Sequence, residues 1–240
     1  MELLQRAIND LVIGNRILAY HGVFDEYGHV SMRHPSVPER FLLARARAAA
    51  FVEPADILEF ALDGSPAADV NVPLCEERFL HAAIFAARPD VNAVLCAASD
   101  DVAPFSVSAT PLRPVLGTVG DMGQQVPVWD IAEHFGDTDL AISDMERATK
   151  PTPRLGKGRL VLRRGVGFVA TGRTLNDTVR MSIYIPKNAR TLAQSMQAGR
   201  DLRFISPGET NSRLAIDPEG NALRRGWEYW ARQAGCGKWL

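Results

Sequence analysis

The chain has 240 residues, 46% of them hydrophobic and 23% charged, with a formal net charge of -1. Those values suit a folded domain with a full core and exclude disordered and fibrous classes. A near-neutral chain lacks the basic field that gathers phosphate backbones, and no apolar run reaches the ~20 residues of a spanning helix, so neither nucleic acid nor a membrane is expected as a partner.

Leu4, Ala7, Ile8, Leu11 and Ile17 recur at helical spacing and predict an amphipathic helix over 3–20. Its charged opening, MELLQRAINDL, has the pattern of neither a secretory nor a transit leader, which points to the cytoplasm. HGVFDEYGHVSMRHP predicts a loop and then a short strand near 29–33. RFLLARA and DILEFALDG predict two strands, the second ending in an Asp63-Gly64 turn. EERFLHAAIFAARPD predicts a helix that stops before Pro89. VNAVLCAAS predicts a strand with Cys96 and Ala98 on one face, since positions two apart share a face. VPVWD predicts a further short strand, and RLVLRRGVGFVATG two strands meeting at a Gly-Val-Gly turn. LNDTVRMSIYIPKNARTLAQSMQAG predicts a long helix kinked at Pro186. RRGWEYWARQAG predicts a terminal helix whose Trp227, Tyr229 and Trp230 need a surface to cover them, on this domain or on a neighbouring subunit.

Helices alternate with strands, but hairpins are present too, which argues for a layered α/β sandwich with a mixed sheet. No repeat or linker divides the chain, so one domain over 1–240 is expected, with 205–240 as a C-terminal extension. Cys75, Cys96 and Cys236 cannot all pair within one chain and show no zinc-type spacing, so they read as reduced thiols.

YGHVSMRHP, LDG, CEERFLHAAIFAARPDVNAV, VPVWD, RRGVGFVATGRTLNDTV and IYIPKNAR follow in order along the chain. In that order they resemble the class II aldolase/adducin family over roughly residues 5–200. The details YGHVS, ERFLH and RGWEYW look most like the subgroup of 3-hydroxy-2-methylpyridine-4,5-dicarboxylate decarboxylase and related aromatic-acid decarboxylases. The resemblance implies a three-layer α/β/α sandwich around a mixed, largely antiparallel sheet. It also implies a homotetramer or other homo-oligomer with sites between subunits. Zinc or manganese on three histidines would be the family's Lewis acid, beside a glutamate acting as general acid/base. The glutamate is present as Glu77. The positions of the three histidines hold Cys96, Ala98 and Val166, and none of His21, His29, His34, His81 or His134 falls on them. One soft ligand and one carboxylate do not complete a metal site, so no cofactor and no metal are expected.

Three readings follow. In the first, a phenolic or other aromatic substrate delocalises its own charge, and a metal-independent lyase releases formaldehyde by retro-aldol cleavage, slightly favoured, or carbon dioxide. In the second, the chain is a non-catalytic interaction protein like adducin. In the third, an unusual metal site uses Cys96 and Glu77. For the first reading Glu77 is the leading proton carrier, placed at a helix start where the dipole favours its carboxylate. His29 is a second proton carrier, and the resemblance implies a third in Tyr184. Arg33 would clamp an acidic group, with Ser31 in the same loop. His81, one turn from Glu77, would orient it. Asp121 and Arg164 would line the site, and Cys96, Ala98 and Val166 would form an apolar wall for the ring.

Overall fold

The computed structural model describes residues 2–199 and 201–240. The chain runs through α1 (Glu2–Tyr20), β1 (His29–Arg33), β2 (Arg40–Ala44), β3 (Ile57–Ala61), α2 (Arg78–Ala87), β4 (Ala93–Ala97) and α3 (Ala103–Val107). It continues through β5 (Val128–Trp129), α4 (Ala132–Phe135), α5 (Met145–Ala148), α6 (Pro151–Leu155), β6 (Leu160–Arg163) and β7 (Gly167–Gly172). The last elements are α7 (Leu175–Ala198), α8 (Pro207–Leu214) and α9 (Asn221–Gln233). The seven strands form one sheet in the order β3-β2-β1-β4-β7-β6-β5. Its pairings are antiparallel apart from β5 with β6.

Period-two alternation sorts each strand between two apolar layers. On β4, Ala93 and Leu95 join Leu11, Ile17, Val179 and Ile183 of α1 and α7. Val94 and Cys96 point the other way, to Leu80, Ile84 and Phe85 of α2. On β6, Leu160 and Leu162 take the first side and Val161 the second. Each fully buried Leu, Ile or Phe contributes about 1.5–3 kcal/mol. The sheet is thus a central layer with α1, α7 and α9 on one face and α2, α5 and α6 on the other.

Helix α2 stops where Pro89 bars the helical conformation at Arg88, whose φ and ψ are -130° and 82°. The side chain of Arg33 then takes up the carbonyls of Phe85 and Arg88 and lies over the Phe85 ring. This cap ties the C-terminal end of α2 to β1. Helix α7 starts on a Thr174 cap, whose hydroxyl accepts from the Asp177 amide. It runs unbroken through Pro186, with Ile183, Ile185, Ala189 and Leu192 buried on both sides of the proline. Trp230 of α9 is buried, with its ring edge-on to Tyr184 and His21, so the terminal helix packs on α1 and α7 of its own chain. Tyr229 is exposed. Among the described residues no helix is long and apolar enough to cross a membrane.

The turn between β6 and β7 depends on Gly167. Its φ is +153°, and an added Cβ would lie 2.1 Å from the carbonyl oxygen of Ala97. Gly167→Ala is expected to lower the unfolding free energy by about 2–3 kcal/mol, read from urea denaturation midpoints.

Candidate active site

Sheet register creates the site. His29 at the start of β1 is paired with Cys96 on β4, and Ser31 with Val94. His29, Ser31 and Cys96 therefore share the sheet face that α2 covers. Helix α2 brings Glu77, just ahead of its first turn, and His81, one turn later, to the same face. Arg163 arrives from β6 on the face of Val161, buried to 3% exposure.

These side chains form one continuous chain of contacts. Arg163 donates to both oxygens of Glu77, at 2.7 and 2.9 Å. Glu77 Oε2 lies 3.3 Å from His29 Nε2. His29 Nδ1 lies 2.7 Å from His81 Nε2, and His81 Nδ1 lies 2.5 Å from Ser31 Oγ. Cys96 Sγ stands 3.7 Å from the same His81 Nε2.

The charges follow from burial and partners. Burial opposes the Glu77 carboxylate, but hydrogen bonding to His29 and the charge of Arg163 hold its carboxyl well below the usual range. Burial also opposes a charged His29, yet its proton affinity stays well above the ordinary imidazole value beside the sulfurs of Cys75 and Cys96. Burial pushes the Cys96 thiol up, so it stays neutral. The full negative charge facing His29 is then that of Glu77. Burial and the neighbouring His29 keep His81 neutral. With His29 charged and His81 neutral, one donor assignment accounts for the contacts that run from Glu77 to Ser31. His29 donates to Glu77 and to His81 Nε2, and His81 donates from Nδ1 to Ser31, whose hydroxyl points to the Val94 carbonyl.

The structure brings together five of the residues singled out in the sequence: His29, Ser31, Glu77, His81 and Cys96. It puts the others elsewhere. Arg33 spends its guanidinium on backbone carbonyls of Pro38, Phe85, Arg88 and Val91. It lines a separate cavity of about 570 Å³ at the other end of β1, with Asn92, Arg173 and Trp227. Asp121 is buried in an ion network with Arg159 and Arg180 that also holds Asp177, against α7 on the opposite face of the sheet. Tyr184 belongs to that face as well, between Trp230 and Lys187. Arg164 is paired with Asp130. Ala98 lies one residue beyond β4 and is exposed, and Val166 is half-buried in the β6–β7 turn. The two sit at the rim, where Gly167 packs on Ala98. Arg163 was missed in favour of its neighbour Arg164. Alternation along LVLRR was the available signal, because it puts Arg163 on the face of Val161, toward α2.

Residues 9–193 match the model of the class II aldolase and adducin N-terminal domain. The chain belongs to this family. It is 26% identical to decarboxylase tropJ of Talaromyces stipitatus, covering 96% of this chain and 94% of that one. It is 27% identical to a 3,4-dihydroxyphthalate decarboxylase of Arthrobacter keyseri, over 81% of each chain. The fold is similar to that of an aldolase II superfamily protein from Pseudomonas syringae, with a TM-score of 0.79 at 20% identity, over 98% of this chain and 94% of that one. Family membership and the decarboxylase relatives make the chain a lyase. The metal that the family resemblance implies does not fit its expected position here, since Ala98 and Val166 offer no donor atom. The cluster behind that rim, His29, His81 and Cys96, holds a different set of donor atoms, all within 4.8 Å of one another.

Removing Arg163 leaves Glu77 with one cationic partner in place of two. Arg163→Leu is expected to cost about 3 kcal/mol of stability in urea melts, and the double variant with Glu77→Leu less than the sum of the two single losses. The donor assignment has its own readout. Ring ¹⁵N NMR at neutral pH is expected to show His81 protonated on Nδ1 with an unprotonated, hydrogen-bonded Nε2.

Proposed function

We propose that the chain is a metal-independent carbon–carbon lyase that removes carbon dioxide from a hydroxylated aromatic acid. The observation that carries this reading is the unbroken relay Arg163–Glu77–His29–His81–Ser31 beside the Cys96 wall. Decarboxylation of such an acid consumes one proton: the ring carbon bearing the carboxylate takes it up, the bond to the carboxylate carbon breaks, and the freed electron pair restores the aromatic ring. The ring hydroxyl stabilises the charged intermediate, so the substrate itself serves as electron sink. The protein has to deliver a proton, hold the ring and exclude water.

His29 is suited to deliver that proton. It is half-buried and Glu77 balances its charge; both of its N–H groups are held, one by Glu77 and one by His81, so an incoming ring takes the proton by displacing one of those acceptors. Glu77, fixed by Arg163, stays ionised and keeps the proton on His29. His81 and Ser31 set the ring orientation from behind. Ala98 and Val166, at the rim, present methyl groups to an incoming ring.

The relatives support carbon dioxide as the product over the formaldehyde that the sequence slightly favoured, because two of them are named as decarboxylases and one of those by a dihydroxyphthalate. The same reading keeps a cytoplasmic homo-oligomer, tetrameric by family resemblance, built from one domain with 205–240 as its extension.

The test is product analysis with chelator-treated protein and a panel of hydroxybenzoates and dihydroxyphthalates. Carbon dioxide is expected from at least one of them, with Glu77→Gln lowering kcat by about 100-fold or more. Formaldehyde in place of carbon dioxide overturns the choice of product. Activity that appears only on adding metal overturns the metal-free step.

A further inference from the structure

The contacts of His29 and His81 have a second chemical meaning. Where histidines hold a metal through one ring nitrogen, the other nitrogen is anchored by a carboxylate or another oxygen acceptor. Both rings are anchored in that way here. His29 turns Nε2 to the Glu77 carboxylate, and His81 turns Nδ1 to the Ser31 hydroxyl. The nitrogens left over, His29 Nδ1 and His81 Nε2, face each other across 2.7 Å, and the Cys96 sulfur closes the third corner 3.7 Å from His81 Nε2. His81 and Cys96 are buried and His29 is half-buried, so the donors are held by packing.

We infer that His29 Nδ1, His81 Nε2 and Cys96 Sγ form a binding site for a soft divalent cation of the zinc type. Zinc bonds to imidazole at about 2.0–2.1 Å and to thiolate at about 2.3 Å, which spaces tetrahedral ligands about 3.3–3.8 Å apart. The distance from Cys96 Sγ to His81 Nε2 already falls in that interval, all three donors lie within 4.8 Å of one another, and the two rings need to part by about 0.6 Å. One thiolate with two imidazoles is a donor set that selects zinc over magnesium or calcium. Three protein ligands leave a fourth position for an exchangeable water. Binding releases two protons, one from the Cys96 thiol and the one shared between the rings.

The site is distinct from the three positions that the family resemblance assigns to metal, sharing only Cys96 with them. It also competes with the proposed chemistry. A cation seated between the rings replaces their hydrogen bond and occupies the nitrogen pair through which the relay runs. On the reading proposed above, zinc is therefore an inhibitor of the enzyme.

Cobalt(II) is the probe, since a cobalt–thiolate bond gives a near-ultraviolet charge-transfer band. Chelator-treated full-length protein is titrated with cobalt chloride and then with zinc chloride. One cobalt per chain is expected, with a sulfur band that zinc abolishes. Cys96→Ser is expected to lose the band while Cys75 and Cys236 remain, and Ser31→Ala to weaken cobalt binding by about 10-fold or more through loss of the ring anchor. Circular dichroism melts confirm that the variants are folded, and Ser31→Ala serves alone if Cys96→Ser is not. No stoichiometric cobalt in the wild type, or a band that survives in Cys96→Ser, overturns the site. Carbon dioxide release falling with zinc occupancy supports the inference. Release that rises with a Cys96-bound metal overturns the metal-free reading of the function and leaves the site standing.

Discussion

A guanidinium buried under a sheet face is the constraint from which the site follows. Arg163 has 3% of its surface exposed, and its charge needs a carboxylate within reach. Glu77 supplies it from α2, across the strands that separate β6 from β1. The pair fixes the N-terminal end of α2 against the sheet, and Arg33 fixes the C-terminal end through the carbonyls of Phe85 and Arg88. Between those two anchors His81 has one place to go, buried among β1, β4 and the Phe41 ring. Its two nitrogens then meet His29 and Ser31. A single charge requirement thus sets the position of the helix, and the helix sets the relay.

Much of the architecture was legible because it rests on periodicity. Short apolar runs along β4, β6 and β7, the stop before Pro89 and the glycine turn between β6 and β7 are local signals, and the elements they indicate are observed. Short helices such as α4 and α5, with four residues each, have no periodic span to betray them. The long helix expected through Pro186 is observed as one element, with buried neighbours on either side of the proline.

The site was legible only in part. Glu77 and His81 are four residues apart, so their alliance shows in the sequence. The pairing of His29 with Cys96 is a matter of strand register between residues 67 positions apart, and one sequence does not reveal register. Arg33, Asp121, Tyr184 and Arg164 were reasonable candidates by residue type, yet each is committed to another structural partner. Arg33 is a helix cap, Asp121 is neutralised by Arg159 and Arg180, Tyr184 is on the far face, and Arg164 is bound to Asp130. What a polar side chain does is decided by which partners the fold has already given it.

The double anchoring of α2 has a consequence for how such a protein diversifies. A helix held at both ends resists tilting, so Glu77 and His81 keep their spacing from His29 and Arg163. The segments around Ala98 and Val166 lie outside that double anchor, at the end of β4 and in the β6–β7 turn, so substitutions there leave the Arg163–Glu77 ion pair undisturbed.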